Sequence, residues 1–263
     1  MKREIIFGVA VSLFGLIYLS STFAPQSQLR RTAQKMVPTS GKPMDVIYTA
    51  WDIPLQQSLP HTATYDADGN VWFTDALSSR IGNLDVKTGK FRIWNVPTTN
   101  SIPHGIVVDK NGLVWFTERL HLDPANKIVK FDPRTEKFVE YPLPQKESGP
   151  HTLIFDKQGL LWISEYEGNR IARFDPETEK MTEYLMPGVR PQPYALEVTH
   201  DDKIWLSTWH QDVMMRFDPD TKTFTSYPVP FLDLEIRDFR VAKDKTLLFV
   251  AMMPNKVVTM KAN

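Results

Sequence analysis

His104-Gly-Ile-Val-Val-Asp109-Lys-Asn-Gly112-Leu-Val-Trp115-Phe-Thr-Glu118 is a pair of short apolar runs joined by an Asp-Lys-Asn-Gly turn. Runs of valine, isoleucine and aromatics bounded in this way read as a β-hairpin. The same arrangement returns with Asp66-Ala-Asp-Gly69 before Val71-Trp-Phe-Thr74, and with Asp156-Lys-Gln-Gly159 before Leu161-Trp-Ile-Ser164. Two further runs follow. Lys127-Ile-Val-Lys-Phe131 is closed by Asp132-Pro-Arg-Thr135, and the next run extends from Phe138 to Leu143. Asp-Pro-x-Thr recurs at Asp175 and Asp218, with Asp85-Val-Lys-Thr88 as a variant.

Prolines keep the frame. Pro54, Pro97, Pro144, Pro187 and Pro230 each end an aromatic-rich run, and seven residues later stand His61, His104, His151, Tyr194 and Arg237. Four strands per unit at a period of roughly 43 residues is the signature of a β-propeller. After residue 44 no 3.6-residue apolar period is sustained, so residues 44–263 read as all-β, a five-bladed β-propeller. The last unit reaches its third strand at the chain end. Tyr48-Thr-Ala-Trp51-Asp-Ile53-Pro54 has the spacing of Phe91/Trp94/Val96/Pro97. This N-terminal strand is therefore expected to complete the last blade and close the ring, hiding a sheet edge.

Ile5 to Ala24 is mostly apolar and uncharged, about the length that spans a bilayer as a hydrophobic helix. Residues 1–24 are read as a signal anchor or signal peptide. Pro25 directly follows the small residues at which cleavage would occur, which favours the anchor. Residues 25–43 read as a polar linker. The expectation is an exported, periplasmic or otherwise extracytoplasmic propeller, held at the cytoplasmic membrane through its N-terminal segment.

Lysine plus arginine and aspartate plus glutamate each number 31, without a basic stripe in the repeats, which argues against nucleic acid as a partner. The absence of cysteine excludes disulfides, thiolate metal sites and a cysteine nucleophile. The partner expected is a small-molecule substrate or ligand; a protein partner stays unidentified.

Symmetry about the hairpin turns places His61 opposite Asp75, His104 opposite Glu118 and His151 opposite Glu165. The first strand of a propeller blade lines the channel, so the three pairs are expected at one mouth of it, with Tyr194 and Arg237 completing the circle. Imidazole beside a carboxylate suits a general base, and both groups suit a divalent cation. Strand-end capping by these polar residues is the structural alternative. Trp72, Trp115, Trp162 and Trp205 share one strand position and read as packing between blades. Trp209 and His210 lie outside that stripe on the histidine face and are candidate substrate contacts; Tyr166 and Glu167 share that face. The second unit carries four extra residues after Glu118, where His121 and Asp123 either edge a pocket or sit in a solvated loop.

Pro103-His-Gly-Ile106 through Trp115-Phe-Thr-Glu118 to Asn126-Lys-Ile128 resembles the repeat of the virginiamycin B lyases, the streptogramin lyases. Gly149-Pro-His-Thr-Leu153 through Trp162-Ile-Ser-Glu165 to Asn169-Arg-Ile171 is similar. The resemblance implies a magnesium-dependent lyase that opens a cyclic depsipeptide by elimination at an ester. By position it implies His151 as the base, His104 as a substrate contact, and Glu165 as a ligand of the cation; the pairing at the channel mouth adds Glu118 as a second candidate ligand. His61, Tyr194, Trp209, His210 and Arg237 are then candidate substrate-binding residues. The family's other metal glutamate stands two residues before the base, a position held here by Gly149. A non-catalytic, membrane-tethered propeller that binds a ligand or a protein on its histidine face is the alternative.

Overall fold

The computed structural model describes residues 49–120, 125–230, 235–242, 244–251 and 256–261. The chain divides into Met1–Ala50 and Trp51–Asn263, and everything below concerns the second unit. The hydrophobic segment 1–24 and the linker 25–43 lie outside the described residues. Among the described residues no helix is long and apolar enough to cross a membrane.

The unit is all-β and forms the five blades expected from the period. The first blade is β1 (Pro60–Tyr65), β2 (Val71–Asp75), β3 (Arg80–Asp85) and β4 (Lys90–Asn95). The second is β5 (Pro103–Val108), β6 (Val114–Glu118), β7 (Lys127–Asp132) and β8 (Lys137–Pro142). The third is β9 (Pro150–Phe155), β10 (Leu161–Glu165), β11 (Arg170–Asp175) and β12 (Lys180–Leu185). The fourth is β13 (Pro193–Val198), β14 (Ile204–Thr208), β15 (Val213–Asp218) and β16 (Thr223–Pro228). The fifth has three strands, β17 (Phe239–Val241), β18 (Thr246–Ala251) and β19 (Lys256–Lys261). Neighbouring strands pair antiparallel in sequence order within every blade.

The turns follow from side-chain chemistry. Asp109 Oδ1 accepts the N–H groups of Asn111 and Leu113, while Oδ2 accepts the indole N–H of Trp115 at 3.2 Å. Asp66 and Asp156 hold Trp72 and Trp162 in the same way at 3.0 and 2.8 Å. An aspartate that satisfies its own turn and pins a tryptophan fixes both the hairpin and the inter-blade packing.

Each of these tryptophans packs forward onto the next blade. Trp72 and Ile81 meet Ile106, Val114 and Phe116. Trp115 and Ile128 meet Leu153, Leu161 and Ile163. Trp162 and Ile171 meet Leu196, Ile204 and Leu206, and Trp205 and Met214 meet Phe239, Leu247 and Phe249. One buried tryptophan contributes roughly 4–6 kcal/mol of transfer free energy before entropic costs. The tryptophan stripe is thus the mortar between blades, as the sequence implies.

Ring closure departs from the expectation. Four cores join five blades, and among the described residues no fifth core joins the last blade to the first. The last blade carries Leu248 at the tryptophan position, where it is 48% exposed, with Val250 and Val257 exposed beside it. Residues 49–54 form no strand, so the closing strand is not made by the described part of 48–54; Tyr48 lies outside the described residues. Trp51 instead stands against the β3–β4 turn, its Nε1 3.1 Å from where a Cβ on Gly89 would sit. That is the contact the repeat uses toward the following blade: Tyr141 makes it with Glu179.

Candidate functional site

The opening residues of the blades are brought together, although not by the pairing that hairpin symmetry predicts. Near the turn the register is symmetric, with Ile106 opposite Phe116. It then slips by one, so that Pro103, rather than His104, faces Glu118. The same bulge sets Pro60 opposite Asp75 and Pro150 opposite Glu165. A bulge re-aims the side chain it carries. Among the described residues no hydrogen bond joins His104 to Glu118 or His151 to Glu165.

The imidazoles turn toward one another instead. The rings of His61 and His104 are 3.7 Å apart between centroids, those of His104 and His151 3.8 Å, and those of His151 and Tyr194 3.9 Å. The row continues through Trp209, whose ring is 4.7 Å from Tyr194, to Arg237, whose guanidinium carbon lies 5.2 Å above Trp209. Tyr166 closes the group at 6.0 Å from both His151 and Tyr194. His210 is exposed and makes no ring contact or hydrogen bond with this group among the described residues. His121 and Asp123 lie outside the described residues.

A line of hydroxyls holds the row. Thr74 Oγ1 donates to the carbonyl of His104 (2.7 Å), Thr117 to that of His151 (3.0 Å), and Ser164 to that of Tyr194 (2.9 Å). Ser207 donates to Ile236 (2.9 Å), one residue short of Arg237. Each hydroxyl also accepts a backbone N–H of its own blade, as Thr117 does from Gly105. The signal was present in the sequence: a threonine or serine thirteen residues after the opening position in four units.

Electrostatics separates the residues into kinds. Burial holds the pKa of His104 and His151 well below the ordinary histidine value. For His104 the facing His151 and His61 add to this; for His151 the Arg119 guanidinium and His61 do. Both rings are therefore neutral at pH 7. His61, half-buried, is lowered in the same direction by burial and then Arg119. Nδ1 of His104 and Nε2 of His151 are buried without a hydrogen bond.

Burial pushes the Glu118 carboxyl up to about 7 against the opposing Lys127, whose Nζ is 3.9 Å from Oε2. Burial likewise raises Glu165 to about 8, although Ser148 donates to its Oε2 at 2.7 Å. Both oxygens of Glu118 and Oε1 of Glu165 make no hydrogen bond. These are oxygen donors that a divalent cation would satisfy. Among the described residues no three metal-ligating side chains converge on one point. A cation held here would draw the rest of its shell from water and substrate, which suits magnesium.

Arg119 is the residue that sequence reasoning passed over. Its guanidinium carbon stands 5.3 Å above the Tyr166 ring and its Nη2 3.7 Å from Glu167. It is the charge that acts on all three histidines. It follows directly after Glu118, in the unit whose loop is longer by four residues, and only the fold brings it over the neighbouring blade.

Comparison with known proteins identifies the family and the fold. Residues 44–261 match the profile of the Virginiamycin B lyase family. A catalytically inactive virginiamycin B lyase from Staphylococcus aureus, solved with quinupristin, is 26% identical with a TM-score of 0.75, covering 82% of this chain and 71% of that one. A streptogramin B lyase structure is 23% identical with a TM-score of 0.71, over 81% and 72%. The extracellular domain of a putative one-component system from B. thetaiotaomicron shares the fold at 18% identity and a TM-score of 0.56, over 78% and 30%. No curated protein matches the chain in sequence.

Proposed function

The chain belongs to the virginiamycin B lyase family, and from that membership we propose that its histidine face opens an ester or lactone bond in a small cyclic substrate. The observation that carries the reading is the state of His151: 2% exposed, neutral, with Nε2 free of any hydrogen bond. A neutral imidazole offers its lone pair to a proton, and burial makes this one a weaker base than an ordinary histidine. In an elimination, His151 takes the proton from the carbon next to the C–O bond. The electron pair left behind forms a carbon–carbon double bond, and the ester leaves as a carboxylate. His104, its ring tilted against that of His151 at 3.8 Å, orients the substrate. His61, Tyr194, Trp209 and Arg237 would wall the mouth. Arg119 lies where a departing carboxylate can be met by a guanidinium.

Glu165 and Glu118 would hold a divalent cation, which when bound polarises the ester carbonyl. Anchored by residues 1–24, this face would work outside the cytoplasmic membrane.

The burial of His151 also favours a second reading, since a ring sandwiched between His104 and Tyr194 has little room for a substrate carbon. In that reading the face binds a ligand without reaction. The test is to incubate the full chain with a panel of cyclic esters and lactones, with magnesium or manganese, following product by NMR. Turnover that yields a new double bond and vanishes in His151→Ala supports the lyase. A hydroxyl product carrying oxygen from labelled water identifies a hydrolase instead. Binding without turnover across the panel leaves the ligand-binding reading in its place.

A further inference from the structure

The turn after β13 breaks the rule that the first three blades keep. Where they place Asp66, Asp109 and Asp156, the fourth places Thr199, followed by His200-Asp-Asp-Lys203 with no glycine. The Thr199 hydroxyl is used locally, toward Asp201 and the Lys203 carbonyl. Trp205, only 5% exposed, therefore keeps its packing but loses its acceptor: its indole N–H makes no hydrogen bond among the described residues.

Thr199 and Trp205 line a cavity of about 650 Å³ bounded by the third, fourth and fifth blades. That volume falls within the roughly 300–1,000 Å³ usual for small-molecule sites. The residues come from the turn side of the blades, at the opposite strand ends from the histidines. Phe155, Val198, Tyr227 and Val241 join Trp205 in its apolar wall. Three cations, Lys157, Arg216 and Lys245, line it with two acids, Asp156 and Asp201. Asp156 is consumed by its own turn and by Trp162. Asp201 is shared between Thr199 and Arg216, the latter at 3.6 Å. The Lys245 ammonium makes no hydrogen bond or ion pair among the described residues, although its charge acts on Asp201.

We propose that this cavity binds a small aromatic carboxylate whose carboxylate takes the place of the turn aspartate absent from the fourth blade. The carboxylate accepts the Trp205 N–H and faces Arg216 and Lys245, and the ring lies on the Phe155–Tyr227 wall. An unpaired donor opening on a cavity lined by cations favours an anion over its neutral isostere.

The test titrates the full chain with indole-3-acetate and with indole-3-acetamide, by calorimetry and by the ¹⁵N-edited indole N–H signal of Trp205, assigned with Trp205→Phe. Saturable binding of the acid, about tenfold weaker binding of the amide, and a moving Trp205 signal are expected. Thr199→Asp restores the carboxylate of the repeat, so it should keep the melting temperature and lose about tenfold or more in affinity for the acid. The proposal is overturned if no saturable binding occurs, if acid and amide bind alike, if the Trp205 signal stays still, or if Thr199→Asp binds as the parent does.

Discussion

The carboxylate of Glu167 occupies the space beside Gly149: a Cβ built on Gly149 would stand 1.5 Å from Glu167 Oε2. Gly149 also has φ +58°, in the left-handed region where a side chain is strained. Gly149→Ala should therefore cost about 1 kcal/mol through the backbone, plus the displacement of Glu167 from beside Arg119. Melting curves of Gly149→Ala, Glu167→Ala and the double variant separate the two parts. The double variant should recover the displacement cost and keep the backbone cost. Simple additivity would show that Glu167 is not held in that space.

Thr117 bridges two blades with one hydroxyl, accepting from Gly105 and donating to His151. Thr117→Val keeps the shape and leaves a buried N–H and a buried carbonyl unpaired, a loss of about 1–3 kcal/mol by urea denaturation. Thr117→Ser keeps both bonds and should lose less than half as much. Equal losses would mean that the methyl group, not the hydroxyl, matters.

Stability should peak on the acid side of neutral, between about pH 4.5 and 6.5. The Glu165 carboxyl titrates near 4.5 in the unfolded chain and near about 8 when folded. Its contribution is therefore full below the lower value and lost as pH rises through the upper one. Glu118 follows the same course up to about 7. His104 and His151 run the other way: their contribution is full above 6.5 and lost as pH falls toward their depressed folded values. Denaturation midpoints across the pH range should show both slopes. Glu165→Gln should flatten the alkaline side and His151→Gln the acid side. Excess magnesium flattens the alkaline side of the parent if the carboxylates hold it, and changes nothing if they do not.

Leu248 sits at the tryptophan position of the last blade, where no other blade covers it among the described residues. Leu248→Lys should change stability by no more than about 0.5 kcal/mol, the ordinary surface value. Phe249→Ala, on the opposite face of the same strand, should cost about 3–5 kcal/mol. A Leu248→Lys cost of core size would show that this face is covered in solution.

The blades were legible because the period, the Asp turns and the tryptophan stripe are all local signals that agree. The meeting of His61, His104, His151 and Tyr194 was legible too, as one position of the repeat. The histidine–acid pairing was not, because a one-residue bulge, in which the Gly105 N–H turns to the Thr117 hydroxyl, leaves no mark in the spacing from His104 to Glu118. Nor was closure. The spacing of Tyr48, Trp51 and Ile53 says where such a strand belongs relative to the first blade, and Trp51 does reach that blade at Gly89. It does not say what the other edge of the strand meets. Arg119 escaped because its role depends on a neighbouring blade rather than on its own.

Among the described residues four cores join the five blades in sequence order, as in a series with two ends. In such a series each blade leans only on its neighbours, and unravelling can start at either terminus and stop part-way. Amide hydrogen exchange should then rank the blades by distance from an end, slowest in β10 and β11 and fastest in β1 and β19. The slowest region would be the one that carries His151 and Glu165, which places these two residues where the chain opens last.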